Sequence, residues 1–533
     1  MVLCEAAGGR NILSRSNVAI SAFAACLRTH TRAARSASPT SLINLSGSPK
    51  SFEPGALTRF AVLPPELKTS SCREASYNVC VTESQAIAKK KSNRRTSKSD
   101  GNPSVIQTSA MFRALRHRNF QLFFSGQLIS LIGTWMQNVA QSWLVYRMTG
   151  SALLLGTVGF ASQIPVFILA PLGGMLADRR SRQRIVIATQ TISMLLAFAL
   201  AALTLNSVIT VWEIMVLAVL LGAVNAFDIP ARQAFLMDMV GREDLMNAIA
   251  LNSSMFNGAR VVGPAVAGIL VAWIGEGWCF FANAISYIAV IVGLLLMRLS
   301  IPKREKVTAS PFEHIVEGFR FVQRTKPIRA LLLLLGCISL FALPYSVLMP
   351  IFADRILHGG ARGFGILMGS AGLGALGGAL TLAMRTGMRG LGRWIATSCA
   401  AFGTALIAFS LSRWFWLSAI LLVPVGYSVM LQTSASNTLL QAMSPDKLRG
   451  RVLAVYSMMF MGMAPIGALL AGVVAKHIGA STTVCLGGIG AIVGAIFFAR
   501  VLPQFRVEAR ELLIASGMAA GQPPESIPAR PPS

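Results

Sequence analysis

The sequence predicts an all-α membrane protein: twelve transmembrane helices in two pseudo-symmetric six-helix bundles. Three observations carry this expectation. The 533 residues are 54% hydrophobic and only 13% charged, with a mean hydropathy of +0.60, whereas a soluble domain carries about 25% charged residues. Residues 119–500 form a train of apolar segments, each near the roughly 20 residues that a bilayer-spanning helix needs. Lys and Arg concentrate in alternate connections between these segments, the asymmetry that orients membrane helices.

In order, the first six segments are 121–146, 152–176, 185–205, 211–233, 249–274 and 278–299. They define an N-terminal half, 111–300. The second six are 329–353, 361–384, 393–411, 414–437, 449–475 and 479–502, and they define a C-terminal half, 329–505. The linker between them, 301–328, carries Phe312, Ile315, Val316, Phe319 and Val322 at helical spacing. That spacing predicts an amphipathic helix lying on the membrane surface. Residues 506–533 read as a disordered cytoplasmic tail.

Residues 1–110 differ from the rest. They are rich in Ser, Arg and Lys, hold the basic cluster Lys89, Lys90, Lys91, Arg94 and Arg95, and contain no spanning apolar run. They read as a disordered basic extension, with a charged surface tail or an Arg-rich transit peptide as alternatives. A start at Met111 would instead lead through Arg113 straight into the first helix, leaving 1–110 outside the native product.

The net charge of +27 would suggest nucleic acid in a soluble protein. Here the distribution of the charge supplies another reason. With the N-terminus inside, the inner connections hold Arg113, Arg116 and Arg118, then Arg179 to Arg184, Arg242, eight basic residues from Arg298 to Arg329, and two later groups of three. The outer connections hold Arg147, Arg355, Arg362, Arg413 and Lys476. This roughly four-to-one bias predicts cytoplasmic N- and C-termini and requires no nucleic-acid partner. The eight cysteines form no CxxC pair, and no metal site, P-loop or catalytic set is present to suggest an enzyme or a cofactor.

The halves resemble one another. Gln233–Leu245 and the helix after it, ending Gly263-Pro264-Ala-Val-Ala-Gly268, are echoed about 203 residues later by Asn437–Arg449 and a helix carrying Ala464-Pro465-Ile-Gly-Ala-Leu-Leu-Ala-Gly472. Two repeated halves around a midplane site are a common transporter plan.

After the second segment comes Gly174-Met-Leu-Ala-Asp178-Arg179-Arg-Ser-Arg182-Gln-Arg184. This resembles the signature loop of the major facilitator superfamily, with Ser181 and Gln183 departing from the usual glycine and basic residue. Taken on its own chemistry, Gly174 would let two helices approach, Asp178 would favour a positive helix end, and Arg179, Arg182 and Arg184 would pair with nearby carboxylates. The resemblance implies a gating latch that stabilises the outward-facing state. Three further stretches resemble the macrolide-efflux and enterobactin-exporter-like branch of drug:proton antiporters. They are Arg113–Phe120, Asp228-Ile-Pro-Ala-Arg-Gln-Ala234, and Asn257-Gly-Ala-Arg260-Val-Val-Gly263-Pro264. That branch implies export.

Charges within the apolar segments are costly, about 2.5–3.5 kcal/mol each on insertion scales. Asp228 and Arg260 are therefore coupling candidates. Asp228 is expected to pair with Arg260 across the bundle or with latch arginines such as Arg182. Glu213, near the outer end of the fourth segment, is either solvated or a proton entry point. Candidates for lining a substrate cavity are Asn138, Gln141, Gln163, Asn225, Asn257 and Tyr427, some of them on segments that the family resemblance places around the cavity. The expectation is a monomeric secondary transporter without cofactors, working with a small-molecule substrate in the lipid bilayer and protons as coupling ion. Export of amphipathic drug-like or siderophore-like molecules by alternating access comes first. Uptake, lysophospholipid translocation, or a non-transporting sensor on the same fold are the alternatives.

Overall fold

The computed structural model describes residues 113–298 and 311–515, apart from positions 386 and 389. The predicted extension 1–110, the start of the linker and the tail beyond 515 lie outside the described residues. A 3-10 turn, Arg113–Arg116, leads into α1 (Arg118–Thr149), α2 (Ala152–Arg179), α3 (Arg182–Leu205), α4 (Val211–Gly241), α5 (Glu243–Ile274) and α6 (Glu276–Leu295). Helix α7 (Pro311–Arg324) precedes the second set. That set is α8 (Lys326–Ile356), α9 (Gly360–Ala383), α10 (Leu391–Leu411), α11 (Phe415–Met443), α12 (Asp446–Ile478) and α13 (Ala480–Ala515).

Among the described residues, 11 helices are long and apolar enough to cross a membrane. Helix α1 supplies the twelfth by its 32 residues, its apolar run being diluted by Gln121, Gln127, Gln137, Asn138 and Gln141. Helix ends run past the apolar segments, because a helix does not stop where lipid stops. Helices α4 and α5 reach each other, separated by Gly241 at φ 72°, a left-handed backbone that suits glycine. Helix α13 continues through residues 506–515, expected to be tail, and buries Ala509. Helix α8 is irregular where Pro344 and Pro350 withhold backbone donors: a 3-10 stretch at Leu343–Leu348 is flanked by π-helical turns at Ile338–Ala342 and Phe352–Ile356.

The amphipathic helix is present. Its Val322 is buried and Phe319 exposed. It docks on the start of α12, where Glu317 pairs with Arg451 and Gly318 lies against the Arg451 backbone.

The repeat is visible in glycines. Gly222 and Gly426, Gly263 and Gly467, Gly268 and Gly472, and Gly275 and Gly479 are each 204 residues apart. Gly275 (φ 85°, ψ 170°) and Gly479 (φ 85°, ψ 158°) make the same turn in the two halves, from α5 to α6 and from α12 to α13. Lipid gives helices no hydrophobic reason to associate, so close backbone approach at small residues does this work. A Cβ on Gly222 would overlap the Ser162 carbonyl of α2, and one on Gly426 the Ala371 carbonyl of α9.

The same logic joins the halves along two seams. Helix α2 meets α12, where a Cβ on Gly472 would lie 3.0 Å from the Gly156 Cα. Helix α5 meets α9, where a Cβ on Gly268 would lie 2.8 Å from the Gly365 Cα. All four glycines sit near the helix ends opposite the Asp178–Arg184 loop.

Candidate functional site

The loop between α2 and α3 is held chiefly by Arg182. Its guanidinium donates to the Ala234 carbonyl of α4 at 2.7 Å and pairs with Asp238 at 3.1 Å. Gln183, at the position where the family pattern has a basic residue, donates to the Leu294 carbonyl of α6 at 2.7 Å. The start of α3 is thereby fastened to the ends of α4 and α6. Asp178 contributes little to this: it is 63% exposed and lies 3.9 Å from Arg182. Arg179 and Arg184 are exposed. The glycine that permits close approach is Gly173, whose Cβ would overlap the Ala226 carbonyl, and not Gly174, which has nothing within 4 Å. One residue along a helix is a rotation of about 100°, enough to move a side chain off the helix–helix contact.

A second polar cluster binds the start of the bundle to this loop face. Asp244, at the beginning of α5, pairs with Arg113 at 3.1 Å and His117 at 2.9 Å. Asn247 accepts from the Ala114 backbone at 2.8 Å. The basic stretch before α1 is therefore a clip on the α4–α5 corner. In the second half, α7 clips the corresponding α11–α12 corner through Glu317 and Arg451.

Asp228 is 2% exposed. The expected partners, Arg260 and Arg182, are both wrong. One Asp228 oxygen accepts from Thr189 at 2.8 Å and Gln190 at 3.0 Å, both on α3, and the other pairs with Arg232 at 3.1 Å. Arg232 is one turn along the same helix, so the pair faces α3 as a unit. The Gln190 Oε1 is buried with no hydrogen-bond partner among the described residues. A cavity of about 680 Å³ runs beside this cluster between α2, α3 and α4. Its wall is largely apolar, includes Thr189, and ends at Arg180 and Arg184.

Arg260 instead lies over the Trp135 ring of α1, 5.6 Å from its centroid. Trp135 is in turn edge-on to Phe256 at 5.6 Å. Glu213 caps its own helix, accepting from the Thr210 backbone at 2.7 Å, which accounts for its position at the α4 start.

At the face opposite the latch loop, the halves are joined by polar and ring contacts that the sequence reading missed. The Tyr146 hydroxyl of α1 donates to Asp354 of α8 at 2.7 Å, and Arg355 lies 5.8 Å from the Tyr146 ring centroid. Trp143 stacks on Phe364 of α9 at 6.2 Å.

The cavity candidates divide. Asn138 and Gln163 are exposed, Gln141 and Asn225 half-buried, and none of the four makes a side-chain hydrogen bond among the described residues. Asn257 is buried and spends its amide on the Ser253 carbonyl of its own helix at 2.8 Å. Tyr427 is half-buried against α9, its ring 3.6 Å from where a Gly377 Cβ would be.

Comparisons with known proteins converge on one fold and one family. By structure, the chain is similar to a peptide transporter, POT, in complex with alafosfalin (TM-score 0.59, 14% identity, 73% of this chain and 95% of that one). It is also similar to a bacterial homologue of the human lysosomal transporter Spinster in an inward-facing, unoccupied conformation (TM-score 0.55, 14% identity, 75% and 98%). By sequence, it is 26% identical to the staphyloferrin A transporter of Staphylococcus aureus over 69% of this chain and 93% of that one. It is 28% identical to the multidrug efflux pump Tap of Mycolicibacterium fortuitum (65% and 86%). It is 26% identical to the enterobactin exporter EntS of Shigella boydii (76% and 95%). The family described as transmembrane secretion effector matches residues 109–518, and the chain belongs to that family of major facilitator superfamily transporters.

Proposed function

We propose that this multi-pass membrane transporter exports small amphipathic molecules of drug or siderophore type, working as a monomer in the bacterial inner membrane with both termini cytoplasmic. The relatives named for siderophore and drug transport support the cargo class. The basic residues support the orientation. On that orientation Tyr146, Asp354, Trp143 and Phe364 close the outer side, and the weak contact of Asp178 belongs to a state in which the inner latch is relaxed. Transport then consists of the two halves rocking about the glycine seams, exchanging the outer closure for the inner latch.

The observation that carries proton coupling is Asp228. A carboxylate buried within a membrane helix is retained at a cost and marks proton or conformational coupling by default. Here it is held by one cation and two neutral donors on α3. Neutralising the carboxylate would release Arg232 within α4 and weaken the two charge-assisted bonds from Thr189 and Gln190 that tie α4 to α3. The test is proteoliposome transport with an imposed proton gradient. Asp228→Asn is expected to abolish gradient-driven accumulation while leaving downhill exchange. Equal gradient dependence in wild type and variant would overturn the assignment.

A further inference from the structure

Arg260 is an uncompensated cation in the middle of the protein. It lies roughly halfway along α5, as Trp135 does along α1. Helices of both halves meet here: Gly372 of α9 packs on the Arg260 backbone, its Cβ position 3.0 Å from the Arg260 carbonyl oxygen, and Tyr345 of α8 lies within electrostatic reach of the guanidinium. The side chain is half-buried, and among the described residues it rests on the face of Trp135.

The carboxylates that might neutralise it are engaged elsewhere. Asp228 is held by Arg232, Asp238 by Arg182, Asp244 by Arg113, Glu276 by Arg147, and Asp354 by Tyr146. A guanidinium at mid-bilayer depth without a carboxylate is expensive, and a cation–π contact of about 0.5–2 kcal/mol does not replace an ion pair. The guanidinium geometry favours planar, bidentate anions, and Trp135 with Phe256 offers an aromatic wall beside it.

From this arrangement we infer that Arg260, Trp135 and Phe256 form an anion-selective substrate site, taking a small molecule that joins a carboxylate or comparable anionic group to an aromatic or apolar body. The inference rests on the transport reading above and narrows its substrate class. The ligand supplies the missing counter-ion, its acidic group on Arg260 and its ring against Trp135. Release would follow when rocking of the halves changes the distance between α5 and the α8–α9 wall.

The test uses the full chain in nanodiscs and two probes that share a pyrene body and carry head groups of opposite charge, 1-pyrenebutyrate and 1-pyrenebutylamine. Binding is read by energy transfer from tryptophan, with empty discs as background. Wild type is expected to bind the anion at least tenfold tighter. Arg260→Gln brings the ratio close to one, Arg260→Glu reverses it, and Arg260→Lys keeps an anion preference of threefold or more. A ratio near one in wild type, no saturable transfer from either probe, or an unchanged ratio in Arg260→Gln would each overturn the inference. If Arg260→Gln lowers the melting temperature but leaves the ratio intact, the arginine serves only to hold Trp135. Gradient-driven movement of the uncharged 1-pyrenebutanol in proteoliposomes reads transport separately. If it moves while no charge preference exists, the export reading stands and the anion site falls.

Discussion

The outer closure offers a direct test of alternating access. Tyr146→Phe removes one hydroxyl and keeps the ring. In the described state that hydroxyl donates to Asp354 at 2.7 Å, and a hydrogen bond to a charged group contributes about 1.5–3 kcal/mol. Arg355 stays close by and partly compensates Asp354, so the lower end, about 1.5 kcal/mol, is the appropriate figure. When the outer side opens, the two groups separate and water replaces each for the other, so the contribution belongs to one state alone. Only such differential contacts move a conformational equilibrium. A loss of about 1.4 kcal/mol is tenfold, so an outer-closed population of about ten to one falls to about one to one. The assay is a distance distribution between spin labels at Ser207 and Arg413, on the α3–α4 and α10–α11 connections of that face, in a background with the native cysteines replaced. The variant should gain a longer-distance population comparable to the short one, and Asp354→Asn should do the same. If both variants keep the wild-type distribution while melting normally, the Tyr146–Asp354 contact persists in both states and does not gate.

Arg182→Ala should cost about 2–3 kcal/mol by thermal melting, since it loses both the ion pair with Asp238 and the bond to the Ala234 carbonyl. Asp178→Asn, on an exposed side chain, should stay within about 0.5 kcal/mol while slowing transport. Gly472→Leu should reach the membrane yet lose transport, because its Cβ falls 3.0 Å from the Gly156 backbone and overpacking costs about 1–3 kcal/mol. Gly174→Ala, in open space, should be neutral in both melting and transport. Thr189→Val, which removes one donor to Asp228, should lower stability by about 1–2 kcal/mol by thermal melting, and an unchanged melting temperature would show that this bond does not hold α3 to α4.

The bundle was legible because bilayer thickness converts directly into lengths of apolar sequence, and because lysine and arginine mark one side. The site was legible only as residue types. Asp228 was found, but its partner depends on which face of α4 meets α3. Helical periodicity alone would have preferred Arg232, four residues on, over more distant arginines. Asp238 and Asp244 stood in a stretch read for its repeat and not for its charge. Their partners, Arg182 and Arg113, are brought to them by tertiary packing. Gly173 and Gly174 cannot be told apart without knowing the rotation of α2. Tyr146 and Asp354 lie 208 residues apart, on helix ends that meet only because the halves do.

The paired seams carry a consequence for origins. Gly268 and Gly472 are repeat equivalents, and α2 and α9 occupy equivalent places in their halves. The contact of α5 with α9 is therefore the mirror of the contact of α12 with α2, which is the definition of an isologous interface. The single chain thus holds the geometry of a homodimer, with its dyad running between the halves. A lesion at Gly268 and one at Gly472 strike the two ends of one inherited contact. Any difference between them measures how far the duplicated copies have since divided their labour.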